Sequence, residues 1–155
     1  MKKIIFTFLF LLPLTLFSTS MDKNGIVTKI SNNSVIDTID ILKIIVKENG
    51  SKELTIIDHQ KNIINNGKFK INEAQLVFFN ESNLCLNLLK YDPAVGLDLP
   101  LKLLIYVGED AKVYIKYRDP MFLKNIYNLG DTKEAQKMSQ ILDKFTNIAI
   151  KEIVK

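Results

Sequence analysis

The sequence predicts an α+β domain: helices on one face of a mainly antiparallel sheet, in the order strand, helix, four strands, helix. Three observations carry this. Apolar residues recur at helical spacing in two separated stretches, near 35–46 and 135–149. Between and before them lie short runs rich in β-branched and aromatic residues. Residues 97–107 alternate apolar and polar and are followed at once by a second strand-like run, the pattern of a hairpin.

Ile26 to Ile30 reads as the first strand. Ser34 then offers a hydroxyl cap, with Asp37 at the third helical position; Val35, Ile39, Leu42 and Val46 form the apolar stripe, and Gly50 closes the helix. Leu54 to Asp58 is the second strand and Ala74 to Asn80 the third. The near-continuous apolar content of the third predicts a central strand covered on both faces. In the next strand Leu97, Leu99, Leu101, Leu103, Ile105 and Val107 share one face, with Asp98, Pro100 and Lys102 on the other. The last strand, Lys112 to Arg118, places Val113, Ile115 and Tyr117 together. A two-residue turn would mix the faces of these two strands. A three-residue loop around Glu109-Asp110 keeps them apart and sets Ile105 opposite Val113 and Leu103 opposite Ile115. Asp119-Pro120 starts a helix, and Asp131 with Glu134 starts the long terminal one. Its buried stripe is Met138, Ile141, Leu142, Phe145, Ile148 and Ala149.

The 155 residues suit one domain, preceded by an export signal over residues 1–20. Lys2 and Lys3 precede an apolar stretch from Ile4 to Phe17, and Ser18-Thr19-Ser20 supplies small residues for cleavage. Fourteen residues fall short of the roughly 20 that span a bilayer, so a retained membrane anchor is not expected. The domain is then 21–155, in the periplasm or secreted. Without Lys2 and Lys3, nineteen basic residues (21 − 2) face seventeen acidic ones, and of all the bases Arg118 alone is arginine. No basic cluster sits beside stacking aromatics, which speaks against nucleic acid. A single cysteine, Cys85 among leucines, rules out disulfides, CxxC chemistry and multi-cysteine zinc sites within one chain, and reads as a buried thiol.

The segment "DPAVGLDLPLKLLIYVGEDAKVYIKYRDP", Asp92 to Pro120, resembles the signature of domain-of-unknown-function family 302. Its landmarks are Asp58-His59 after the second strand, Gly96 to Pro100, and Tyr117 to Pro120. The resemblance implies a fold similar to the TATA-binding-protein type and a tendency to form homodimers; it implies no activity. Where the family often reads Phe-Gly-Asn-Pro, this chain has Phe79-Asn80-Glu81-Ser82, and Cys85 stands where a glycine is usual. Ile126-Tyr127 replaces a frequent Arg-His pair.

His59 is the only histidine. If the strand runs through it, it faces away from Asp58, so any partner must come from elsewhere, with Asp98, Asp119 and Tyr117 as candidates because strand ends converge. A metal would want three or more ligands, so no metal and no cofactor is expected. Asp119 is explained by capping, and Asp98 by its outward position. No serine sits in a nucleophile elbow, and the six glycines form no phosphate-binding pattern. The reading is an exported, homodimeric, non-enzymatic binding or accessory domain, with Asp58, His59 and Tyr117 as ligand-contact candidates for a small ligand or protein partner. Its rival is a small periplasmic hydrolase or isomerase using His59 as base with Asp98 or Asp119. Val27, Val77 and Phe79 supply the apolar surface from which a dimer is expected.

Overall fold

The computed structural model describes residues 20–50, 54–64, 71–79 and 82–151; the expected signal, apart from Ser20, and the Asn80-Glu81 departure lie outside them. The strands are β1 (Ser20–Met21), β2 (Ile26–Ser31), β3 (Thr55–Asp58), β4 (Ala74–Phe79), β5 (Leu101–Val107) and β6 (Val113–Arg118). They form one sheet in the order β1-β2-β6-β5-β4-β3, antiparallel throughout. The helices are α1 (Val35–Glu48), α2 (His59–Ile64), α3 (Ser82–Tyr91) and α4 (Glu134–Ala149), with 3-10 turns at Pro93–Leu97 and Pro120–Asn125. The expected succession is present as β2-α1-β3-β4-β5-β6-α4, within an α+β layer. β1, α2 and α3 are additions that the periodicity did not announce.

One face of the sheet packs against helices. Val27, Lys29 and Ser31 of β2, Val77 and Phe79 of β4, Leu101, Leu103 and Ile105 of β5, and Ile115 and Tyr117 of β6 are buried there. They meet Val35, Ile39, Leu42 and Val46 of α1 and Met138, Leu142 and Phe145 of α4 in a single core. Each Val, Leu, Ile, Phe or Met among them contributes roughly 1.5–3 kcal/mol through lost contact with water.

The α1 start follows its capping chemistry. The Ser34 hydroxyl accepts from the Asp37 N–H at 3.0 Å, and Gly50 takes φ +75° beyond the last turn.

Several sequence expectations change. β4 is an interior strand, yet only alternate residues are fully buried: Val77 and Phe79 face helices, while Leu76 and Phe78 lie half-buried on the opposite face, which is helix-free among the described residues. Leu97 falls in a 3-10 turn closed by the Asp98 N–H on the Val95 carbonyl, and is 80% exposed. The leucine alternation therefore overran the strand, because Pro100 has no N–H to join a ladder. The hairpin loop does have three residues, Glu109–Ala111, but lies one residue later than expected. Gly108 N–H donates to the Lys112 carbonyl, and Ala111 sits at φ +60°. Ile105 consequently faces Ile115, and Leu103 faces Tyr117. The two-residue shift preserves every side chain's face, so hydrophobicity could not detect it. The long helix begins at Glu134 rather than near Asp131, its N–H taken by the Thr132 hydroxyl at 3.1 Å. Ile148 of the expected stripe is 40% exposed, whereas Thr146 is buried. Val27, Val77 and Phe79 are covered by the chain's own helices, so they are not the surface a second copy would need.

Candidate functional site

The helix-free face is built from the residues between those of the core. On it, Arg118 of β6 stands opposite Ile26 of β2, Lys116 opposite both Thr28 and Leu104, Leu104 opposite Leu76, and Lys102 opposite Phe78. One step beyond the Leu103–Tyr117 pair, the register brings Lys102 and Arg118 to facing positions. Three cations from two neighbouring strands thus surround an apolar floor of Ile26, Leu76 and Leu104, lining a cleft of about 370 Å³. Asp98 stands at its rim.

Local structure places each of these groups. Gly25, at φ +73°, lets Phe122 close on the backbone so tightly that a Cβ there would lie 2.2 Å from the ring. The Asp119 N–H donates to the Gly25 carbonyl at 2.8 Å and fixes the same corner. Above the Phe122 ring lies the Arg118 guanidinium, 5.6 Å from its centre. Its Nη1 donates to the Asn24 carbonyl at 2.7 Å, and its Nε is 3.9 Å from Asp98 Oδ1. Lys102 Nζ donates to the Leu97 carbonyl at 3.3 Å. Lys116 Nζ lies 5.8 Å from the centre of the Tyr106 ring.

Asp98 and Tyr117, two of the residues singled out from sequence, both border this cleft. Asp98 Oδ2 accepts from the Tyr127 hydroxyl at 2.8 Å, a bond that raises the Tyr127 pKa above its ordinary value. Tyr117 turns its ring toward the core, where burial pushes its hydroxyl up to about 12. Because that folded value exceeds the ordinary 10, the stability it reflects is complete below pH 10 and lost as pH rises through about 12. Urea unfolding of the wild type should weaken by about 2 kcal/mol more over that range than unfolding of Tyr117→Phe. A difference between the two proteins that stays constant with pH would show the hydroxyl is not desolvated.

The other candidates lie apart from the cleft or serve the backbone. Asp119 caps its 3-10 turn, accepting from the Met121 N–H at 2.8 Å. The strand does not run through Asp58 into His59. Asp58 ends β3 and accepts from the Lys61 N–H at 2.9 Å, and His59 opens α2. Asp58, Gln75, Ile105 and Ile115 lie in one cross-strand row, three residues along β6 from Arg118. With three strand spacings added, His59 is on the order of 17 Å from the Asp98–Arg118 corner. The structure does not bring His59 together with Asp98 or Asp119. Among the described residues no group of three or more His, Cys, Asp and Glu could hold a metal ion.

Two features escaped the sequence reading. The cleft lysines and Arg118 sit at the outward positions of alternating strands, a signal present in the pattern but ordinary for any solvated face. Lys29 is more informative. It occupies an inward position of β2 and is only 1% exposed. Its Nζ donates to Asp143 Oδ1 at 2.6 Å, Thr146 Oγ1 at 2.8 Å, Asn147 Oδ1 at 2.7 Å and the Asp143 carbonyl at 3.3 Å. A charge at an inward strand position was the available cue.

Comparison with known proteins agrees with this architecture. The family described as "Domain of unknown function DUF302" matches residues 27–145. The chain belongs to the DUF302 family. A crystal structure of an uncharacterized conserved DUF302 protein from Bacillus stearothermophilus superposes with a TM-score of 0.62 at 15% identity, covering 81% of this chain and 95% of that one. At that identity the likeness is one of fold. Among curated proteins, Fluoride-specific ion channel FluC 1 of Brucella suis biovar 1 is 28% identical over 111 residues, 72% of this chain and 43% of that protein. FluC 1 of Brucella abortus biovar 1 is likewise 28% identical over 111 residues, which is 41% of its length. The DUF302 chain therefore spans about two fifths of the curated relatives it matches.

Proposed function

We propose that this DUF302 chain is an exported, non-enzymatic binding domain, homodimeric and accessory in role, whose ligand surface is the helix-free face of its sheet. The cleft carries the reading: a concave, partly apolar surface of about 370 Å³ with convergent polar groups is the usual form of a small-ligand site. The hydrolase or isomerase alternative lacks its geometry, since His59 stands far from both carboxylates offered as support. Export rests on Lys2-Lys3, the apolar stretch and Ser18-Thr19-Ser20. For the dimer, Ile30 and Ile57 on the same open face are 37% and 36% exposed and offer a second copy apolar contact.

The accessory role draws on the fluoride-channel relatives. Residues 1–19 can supply at most nineteen of the 111 matched positions, so most of the match lies further along the chain. Among the described residues no helix is long and apolar enough to cross a membrane. We read the shared two fifths of those channels as a domain beside the channel-forming part.

Native mass spectrometry of protein recovered from the periplasm, with reductant present, tests these points together. The expected species is a dimer of chains beginning at Met21, carrying a non-covalent small ligand and surviving reduction because Cys85 is buried. A soluble cytosolic chain of Met1 to Lys155, a monomer at micromolar concentration, or a dimer lost on reduction would each remove the corresponding part. Finding no small molecule retained or bound at the cleft would remove the binding role.

A further inference from the structure

We infer that the open-face cleft takes a small organic anion, a carboxylate carrying an apolar group; this rests on the binding-domain reading and names its ligand class. The placement of like charges points to an anion. Lys102 and Arg118 stand opposite each other across β5 and β6, and Lys116 is diagonal to Lys102. Like charges directly opposite in a sheet are destabilising. A fold that keeps three together, with Asp98 in the lining and Asp22 within electrostatic reach of Lys116 and Arg118, still gathers more positive than negative charge where an anion would relieve the repulsion.

The hydrogen-bond donors point the same way. Asp98 is already engaged by the Tyr127 hydroxyl, and its nearest approach to Arg118 is 3.9 Å. The Arg118 contacts use Nη1 and Nε. Nη2 remains, on a guanidinium held in place by Phe122 and Asn24 and suited to a planar carboxylate. Lys116 Nζ rests on the Tyr106 ring and can turn its N–H groups toward a ligand.

The floor calls for the apolar group. Ile26, Leu76 and Leu104 lie beneath the cations, and the exposed Leu97 is tied to the rim through its carbonyl and Lys102. A bare inorganic ion would leave this apolar surface wet. An apolar group on the anion would cover it, and removing water there strengthens the ionic contacts.

The test uses ¹⁵N-labelled protein titrated with sodium octanoate, octanamide or sodium acetate at matched ionic strength, following backbone amides. Octanoate should move the amides of Leu104 and Lys116. Octanamide, lacking charge, and acetate, lacking the tail, should each bind at least tenfold more weakly. The Lys116→Met/Arg118→Met variant should lose at least tenfold in octanoate affinity, about 1.4 kcal/mol, with octanamide binding unchanged. If that variant does not fold, Lys102→Met carries the same expectation with a smaller loss. Equal binding of octanoate and octanamide at these amides would overturn the anion class while leaving the binding surface intact. Acetate as tight as octanoate would overturn the apolar requirement, and a variant binding octanoate like wild type would overturn the cationic site. Open-face amides unmoved by all three probes would overturn both this inference and the reading beneath it.

Discussion

Phe145→Ala should destabilise the domain by about 3–5 kcal/mol, the range for emptying a buried aromatic site. Phe145 is 4% exposed and meets Phe79 edge-on, with ring centres 5.7 Å apart and planes at 84°. Around it, Leu42 and Val46 of α1, Val77 of β4, Leu103 of β5 and Leu142 of α4 line a residual gap of only about 10 Å³. Truncation opens an apolar cavity between two helices and the sheet. Walls already fixed by β-ladders on one side can collapse only in part. Phe145→Leu keeps most of the volume and should cost no more than about 1.5 kcal/mol. Urea unfolding midpoints of the two variants measure the contrast. A loss below about 1.5 kcal/mol for alanine would mean α4 is not anchored to the sheet at this point. Domains of this size have only about 5–15 kcal/mol to lose, so the alanine variant should be marginal at growth temperature.

Asp143→Ala is expected to cost about 3 kcal/mol, and Lys29→Met no more than about 1.5, although both delete the same ion pair. The asymmetry follows from where the charges sit. The Lys29 side chain is 1% exposed, whereas Asp143 is 55% exposed. Without its carboxylate partner, Lys29 keeps a positive charge inside the protein with only neutral acceptors on Thr146 and Asn147 and a backbone carbonyl. Without the lysine, Asp143 remains half in water, and methionine fills the space of the alkyl stem. Salt will not remove the difference, because a buried charge is poorly screened. Equal losses for the two variants, read from urea unfolding at neutral pH, would show that the lysine's charge is not desolvated in the native state.

The sites of these predictions mark what was legible in the chain. Phe145 was readable because period is a local property: residues at helical spacing share a face whatever lies across from them, whereas Phe79, in a run of continuous apolar residues, read as surface for a second copy. For Lys29 only the inward position was readable, not its partners. Nothing in a strand-like run states that its one inward lysine will find four acceptors, three of them side chains, on a helix more than a hundred residues away. The helices α2 and α3 were missed for a related reason: they are short, and His59–Ile64 in particular gives too few turns for a period to emerge. Asp58-His59 then read as strand continuation, when Asp58 was in fact the helix cap.

By itself the sequence determined the α+β class, the core strands and flanking helices, the facing of residues in β3, β5 and β6, and the resemblance to the DUF302 family that comparison made firm. Those are consequences of residue type at short spacing. Tertiary structure alone decided the strand order, the Ile105–Ile115 register, the separation of His59 from Asp98 and Asp119, and the gathering of Lys102, Lys116 and Arg118 over one apolar floor. Side chains far apart in the chain become neighbours through the choice of pairing partner. A two-residue change of register leaves every hydrophobic face satisfied while moving every cross-strand pair. The burial pattern that drives folding therefore cannot specify which charges will meet.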